Sequence, residues 1–336
     1  MLPLEASRAA QGADLELLQI LALCLTADSR RTLYWRQNFD IPEWPLLTTD
    51  SRTTVRGGTE VDVIRRNNVQ QLLHVDSNAP VLLYAHGFGC NQEMWRLLTP
   101  AFTCSHRQIL FDYVGSGSSD ASAFDPARYD SLSGYAQDLL DVCDALALTQ
   151  NVIFVGHSVS CSIGLLAAIQ RPTLFSRLIL VGPSPCFLNK PPDYLGGFEK
   201  ADLEGLLTLM DQNYIGWAQY FAPLVAGSQP DQLLTSQLSS SFCSTDPVMA
   251  KLFAQATFFS DIRADVPRCT TPSLILQHRR DALVPLSVAD YLHRHLLNSQ
   301  LEILDITGHC AHMSHPHLVA ASMRKYLSRS DNLVLS

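Results

Sequence analysis

From about residue 60 onward, short β-branched and aliphatic runs alternate with longer stretches whose apolar positions recur every three or four residues. Residues 81–85 (VLLYA), 108–112 (QILFD), 151–155 (NVIFV), 178–181 (LILV), 273–277 (SLILQ) and 301–305 (LEILD) are near-continuous apolar runs. Such runs are expected of strands covered on both faces of a parallel sheet. Between them the spacing predicts helices. The clearest covers residues 131–148, where Leu132, Tyr135, Leu139, Leu140, Cys143 and Leu146 share one face and Asp138, Asp141 and Asp144 are expected to point away. The fold class is therefore α/β, with a mostly parallel central sheet flanked by helices. The alternation breaks once. Residues 183–265 read as several helices between two strands, and an insertion of that length is usually functional, most often a lid. The expected layout is an N-terminal extension over 1–60, a core made of 61–182 and 266–330, and a helical lid over 183–265.

Within the extension, residues 12–26 predict an amphipathic helix and residues 27–60 an irregular arm or linker. The apolar stretch at 15–25 is similar to a signal-peptide core, but Asp14 and Glu16 stand where a basic region is expected and no small-residue cleavage site follows. No run reaches the ~18 apolar residues that span a bilayer, so stable membrane insertion is not expected. A chain of 336 residues with 47% hydrophobic and 17% charged residues can bury a large core, which excludes a disordered or collagen-like protein. Its net charge is −8 with no Lys/Arg-rich run, which argues against a nucleic-acid partner. Nine cysteines stand singly with no CxxC pair, the usage of reduced thiols in a cytoplasmic protein.

The candidate chemistry lies at the carboxyl ends of the predicted strands. NVIFV runs into Gly156-His157-Ser158-Val159-Ser160 and then a helical stretch. A strand-to-helix turn with glycine two residues before a serine lifts the hydroxyl above the sheet on a strained backbone. Position 160 is serine where glycine is usual; it is small enough to fit. A serine capping a helix is the plain alternative. VLLYA leads into His86-Gly87-Phe88-Gly89-Cys90, so the N–H groups of Phe88 and Val159 are the candidate oxyanion donors. SLILQ is followed by Asp281, the candidate acid, and LEILD by His309, the candidate base. Serine, aspartate and histidine in that chain order predict a serine hydrolase. Ser158 attacks, His309 takes its proton, Asp281 fixes the imidazole, and water activated by His309 clears the acyl-enzyme. The scheme needs no cofactor. His309, His312, His315 and His317 are dense enough to suggest a metal site but match no familiar ligand spacing, so no metal is expected. His157 is expected to pack or hydrogen-bond, Cys310 to be a buried spectator thiol, and Asp112 to serve a turn.

Residues 62–328 also carry a resemblance. HGFGCNQEMW (86–95), LFDYVGSGSSD (110–120), GHSVS (156–160), NYIGWAQYFAPLV (213–225), FCSTDPV (242–248) and GHCAHMSHP (308–316) resemble the α/β-hydrolase superfamily. Within it they are similar to the RsbQ type, bacterial relatives of the plant strigolactone and karrikin receptors. The resemblance implies a small hydrolase with a four-helix lid over an apolar pocket that takes a small hydrophobic ester or lactone. It also implies a bacterial regulator that works with a partner phosphatase or sensor protein in a general stress sigma-factor pathway. By position, Ser158, Asp281 and His309 match the triad, and Phe88 and Val159 the oxyanion amides. Phe88, Phe198, Trp217, Phe221 and Phe258 match pocket-lining aromatics, for which helix packing is the alternative. An intact triad suits a turning-over enzyme and a slow small-molecule sensor equally.

Overall fold

The computed structural model describes residues 62–72, 75–227 and 232–328. The expected helix over 12–26 and arm over 27–60 lie outside them. Seven strands form one sheet in the order β1-β3-β2-β4-β5-β6-β7. They are β1 (Gln70–Leu72), β2 (Val81–Ala85), β3 (Arg107–Leu110), β4 (Val152–His157), β5 (Phe175–Val181), β6 (Ser273–Arg280) and β7 (Ser299–Thr307). Every pairing is parallel except that of β1 with β3. All residues of β2 and β4 are buried, which is why these strands read as unbroken apolar runs. The six expected strands are all present. β6 runs on to Arg280 because its polar end still pairs with β7, where Arg280 lies opposite Thr307.

Helices α1 (Leu132–Ala145) and α2 (Val159–Gln170) pack on each other. The predicted apolar face of α1 is buried from Leu132 to Cys143, with Leu146 half-buried just past the helix end, but Asp138 is not on the outer face. It is fully buried, and its carboxylate receives Arg128 at 2.8 Å, Tyr129 at 2.9 Å, Arg66 at 3.3 Å and Asn67 at 3.3 Å. Two guanidiniums replace the water the carboxylate loses, so burial is tolerated. Asp144 is exposed, as expected.

Between β5 and β6 stand four helices, α3 (Lys200–Gln212), α4 (Tyr214–Ala226), α5 (Gln232–Ser244) and α6 (Pro247–Phe258). α4 packs on α3 and α5, and α6 on α3. Their starts are written in the sequence. Asn213 caps α4 by accepting from Gly216 N at 2.9 Å, and Asp246 caps α6 by accepting from Val248 N and Met249 N, with Pro247 in the first turn. Trp217, Phe221 and Val225 recur every fourth residue, and so do Leu234, Leu238 and Phe242; both rows are buried. Helix α7 (Leu286–His295) packs on β6 and β7, and α8 (Pro316–Leu327) on β6. No helix among the described residues is long and apolar enough to cross a membrane.

Candidate active site

β4 ends at His157, and the chain turns through Ser158 into α2. Ser158 has φ 55° and ψ −122°, a region that residues with a side chain seldom enter, at a cost of about 1–3 kcal/mol. Close approach of the neighbouring loop permits the turn. A Cβ on Gly87 would lie 2.5 Å from Nδ1 of His157 and 3.5 Å from Cβ of Ser158, so only glycine brings the 86–90 loop this near. Ser160 does more than fit. Its hydroxyl donates to the carbonyl of His86 and lies 3.0 Å from the hydroxyl of Tyr113, tying the loop to the helix start. Val159 N–H is the first amide of α2, one of those a helix leaves without an intrahelical acceptor.

Asp281 follows β6, and its side chain is inaccessible to solvent. Oδ1 accepts from the amides of Leu283 at 2.9 Å and Val284 at 3.2 Å, which locks the carboxylate in an Asx-type turn. Oδ2 accepts from Nδ1 of His309 at 2.7 Å and lies 3.4 Å from Nδ1 of His278. Burial alone would raise the carboxyl pKa, but the charge and hydrogen bond of His309, together with His278, outweigh it and hold the group below the usual carboxylate range.

His309 follows β7 through Gly308. At φ 102° a Cβ on Gly308 would meet the carbonyl of Ala226 at 2.3 Å, so the chain passes under the end of α4 only as glycine. His309 N–H then donates to Val225 O of α4 at 2.8 Å, and its carbonyl receives Nε2–H of His157 at 3.1 Å. The Nε2 of His309 is buried without a hydrogen-bond partner. His309 lines a cavity together with Ser158, Phe88, Cys90, Phe187, Phe221, Val225, Phe242, Thr257, Phe258, Leu283 and Cys310. The cavity volume is about 20 Å³, room for about one water.

The structure thus brings Ser158, Asp281, His309, Phe88 and Val159 to one end of the sheet. Of the expected pocket aromatics, Phe88, Phe221 and Phe258 line the cavity and two do not. Trp217 is absent from the lining, its ring stacked on that of Phe221 at 5.4 Å and tilted against that of Phe242 at 5.4 Å. Phe198 pairs with Leu188 in an isolated bridge and is absent from the lining. Phe187, Phe242 and Thr257 were not expected; helical spacing from Leu234 and Leu238 marks Phe242 only as inward-facing. His278 was also missed. A titratable residue at the polar end of β6, three positions before the acid, was its one signal.

The remaining candidates have structural partners. Asp112 accepts from Gln92 N at 2.8 Å, Asn68 Nδ2 at 2.8 Å and Ser118 N at 3.0 Å, consistent with a turn residue. Burial pushes the thiol of Cys310 far up and that of Cys90 up to about 12, so neither is a ready nucleophile. Of the HCAHMSHPH histidines, His312 turns inward against Trp95, and the rings of His315 and His317 stand 6.3 Å apart. Among the described residues one group of possible metal ligands converges: His278, Asp281 and His309, whose atoms lie within 4.8 Å. The hydrogen bond from His309 Nδ1 to Asp281 already uses the nitrogen a cation would need.

A parallel sheet with a strained strand-to-helix serine and an aspartate–histidine pair after later strands defines the frame of an α/β hydrolase. The Alpha/beta hydrolase family matches residues 82–322, and the chain belongs to that family. It is 38% identical to the strigolactone esterase of Arabidopsis thaliana over 79% of this chain and 99% of that one. It is 36% identical to the karrikin insensitive 2 receptor IA of Petunia hybrida over 76% and 92%. A hydrolase from Oleispira antarctica matches in structure with a TM-score of 0.77 at 45% identity, over 80% of this chain and 97% of that one.

Proposed function

We propose that this chain is a serine hydrolase acting on a small hydrophobic ester or lactone through Ser158, His309 and Asp281. The observation that carries the reading is the Asp281–His309 bond of 2.7 Å, which leaves Nε2 of His309 unpartnered in the cavity that Ser158 also lines. Nε2 takes the proton of Ser158 as Oγ attacks the acyl carbon, and Asp281 stabilises the imidazolium. The amides of Phe88 and Val159 stabilise the tetrahedral oxyanion. His309 returns the proton to the leaving oxygen, and water attacks the acyl-enzyme by the same route. Phenyl rings from Phe88, Phe187, Phe221, Phe242 and Phe258 favour an apolar substrate.

The insertion over residues 183–265 acts as a lid on the core of residues 61–182 and 266–330. A cavity of about 20 Å³ admits no ester, so α4 to α6 must move apart for entry. Eight free thiols among the described residues favour a cytoplasmic location.

Fluorophosphonate labelling and p-nitrophenyl acetate turnover test the reading. Both should be present in the wild type and absent in Ser158→Ala; equal behaviour of the two proteins overturns it. A sensor reading, with a phosphatase or sensor protein as partner, draws on the relative named a receptor and on the closed cavity. Turnover far below ~1 per second, the low end for ordinary enzymes, favours the sensor, and faster turnover the enzyme.

A further inference from the structure

His278 is fully buried, and neither of its ring nitrogens has a hydrogen-bond partner among the described residues. An unpaired polar group in a core costs about 1–3 kcal/mol, so an imidazole here is poorly explained by packing. Its Nδ1 stands 3.4 Å from Oδ2 of Asp281, the oxygen that receives His309 at 2.7 Å, and the two imidazole rings meet nearly edge to face at 6.3 Å. We propose that His278 is a positioning residue of the hydrolytic site, whose Nδ1–H shares Asp281 Oδ2 with His309 and so tunes the orientation and basicity of His309. The inference rests on the Ser158–His309–Asp281 reading.

A carboxylate oxygen only accepts, so the His278 nitrogen facing it carries the proton. Oδ1 is held by the amides of Leu283 and Val284, and His278 acts on the other oxygen. A second N–H on Oδ2 draws negative charge from the acceptor that stabilises the His309 imidazolium. Removing that N–H leaves Oδ2 wholly to His309. The surrounding groups supply no competing charge. His157 at the end of β4 and His312 after β7 are kept neutral by burial, and Cys310 and Cys90 are kept as thiols. Farther out, His315 is also held below its ordinary range by burial. Arg279 and Arg280, on the same strand, turn to the surface and face Asp305 at 3.0 and 3.5 Å.

The test compares the full chain with His278→Leu, which removes the donor at similar volume, and His278→Asn, whose amide nitrogen stands near the place of Nδ1. Two pH profiles are read, of kcat/KM for p-nitrophenyl acetate and of the rate of Ser158 labelling by a fluorophosphonate. His278→Leu should move the acid limb of both upward by about half to one pH unit, with His278→Asn staying near the wild type. If the leucine variant does not fold, His278→Ala takes its place. Unmoved limbs in labelled, active His278→Leu, or the same shift in leucine and asparagine variants, overturn the assignment and leave the triad reading intact. Absence of labelling in the wild type overturns both readings at once.

Discussion

Among the described residues, Asp138 and Asp281 have side chains with no solvent exposure, and they are compensated in different ways. Asp138 on α1 is surrounded by groups whose charge or proton is fixed: Arg66, Arg128, the Tyr129 hydroxyl, the Asn67 amide and, at 3.3 Å, Val114 N–H. Nothing in that cluster is left to react. Asp281 has two backbone amides on one oxygen and, at the other, Nδ1 of His309 at 2.7 Å and Nδ1 of His278 at 3.4 Å, and an imidazole, unlike a guanidinium, can give up its proton. One of them keeps a free nitrogen facing a cavity. Burial of an acid therefore does not mark function by itself; a titratable compensating partner does.

The sharpest way to break that contrast is to neutralise each acid. Asp281→Asn keeps the shape but offers His309 an amide, so the wrong tautomer is favoured and kcat should fall by ~10⁴ while the protein stays folded. Steady-state turnover with a circular dichroism spectrum checks both halves. A fall of less than tenfold would place Asp281 with Asp138 as a structural acid.

The reciprocal change is Asp138→Asn. It leaves Arg66 and Arg128 with only Asp141, at 2.9 Å from each, to balance them. Removing one partner of a buried ion pair costs about 3–5 kcal/mol. Urea unfolding should show that loss as a lower midpoint at unchanged slope, with kcat of the folded protein unchanged. A drop in kcat at unchanged stability would reverse the two roles.

The same pair measures what the sequence disclosed. Six strands were legible because burial on both faces removes polar residues, and the serine turn because its geometry demands small residues at fixed spacing. Asp281 and His309 stood out by their places after β6 and β7, and the structure joins them by a hydrogen bond of 2.7 Å. Asp138 was misread because a helical wheel sees only its own helix, and the two guanidiniums that offset its burial come from outside it, Arg128 and, 72 positions away, Arg66. β1 was missed because three residues, QQL, at the sheet edge carry no apolar period. His278 stayed hidden since its importance lies in one distance to Asp281. Phe198 and Trp217 were offered by the resemblance alone, and matching positions do not fix which rings reach the cavity wall of this chain.

The smallest expected effect concerns the other buried histidines. Burial holds the pKa of His312 well below its ordinary value, with His278 and His309 adding to that. In the unfolded chain the same group titrates near ~6.5. The folded state therefore binds fewer protons than the unfolded state below that pH. The stability contributed by keeping His312 neutral is complete above about pH 6.5 and is lost as pH falls from there toward its folded value. Its ring lies 4.5 Å from those of Trp95 and His157 with neither nitrogen hydrogen-bonded, so His312→Phe removes the titration without breaking a bond. Unfolding free energy measured from pH 7.5 to 4.5 should fall less steeply in the variant, by up to about 1.4 kcal/mol per pH unit for the one proton removed. His309 differs from His312 in having a carboxylate to hold its charge, so an identical slope in wild type and variant would mean that His312 also finds an acceptor when protonated.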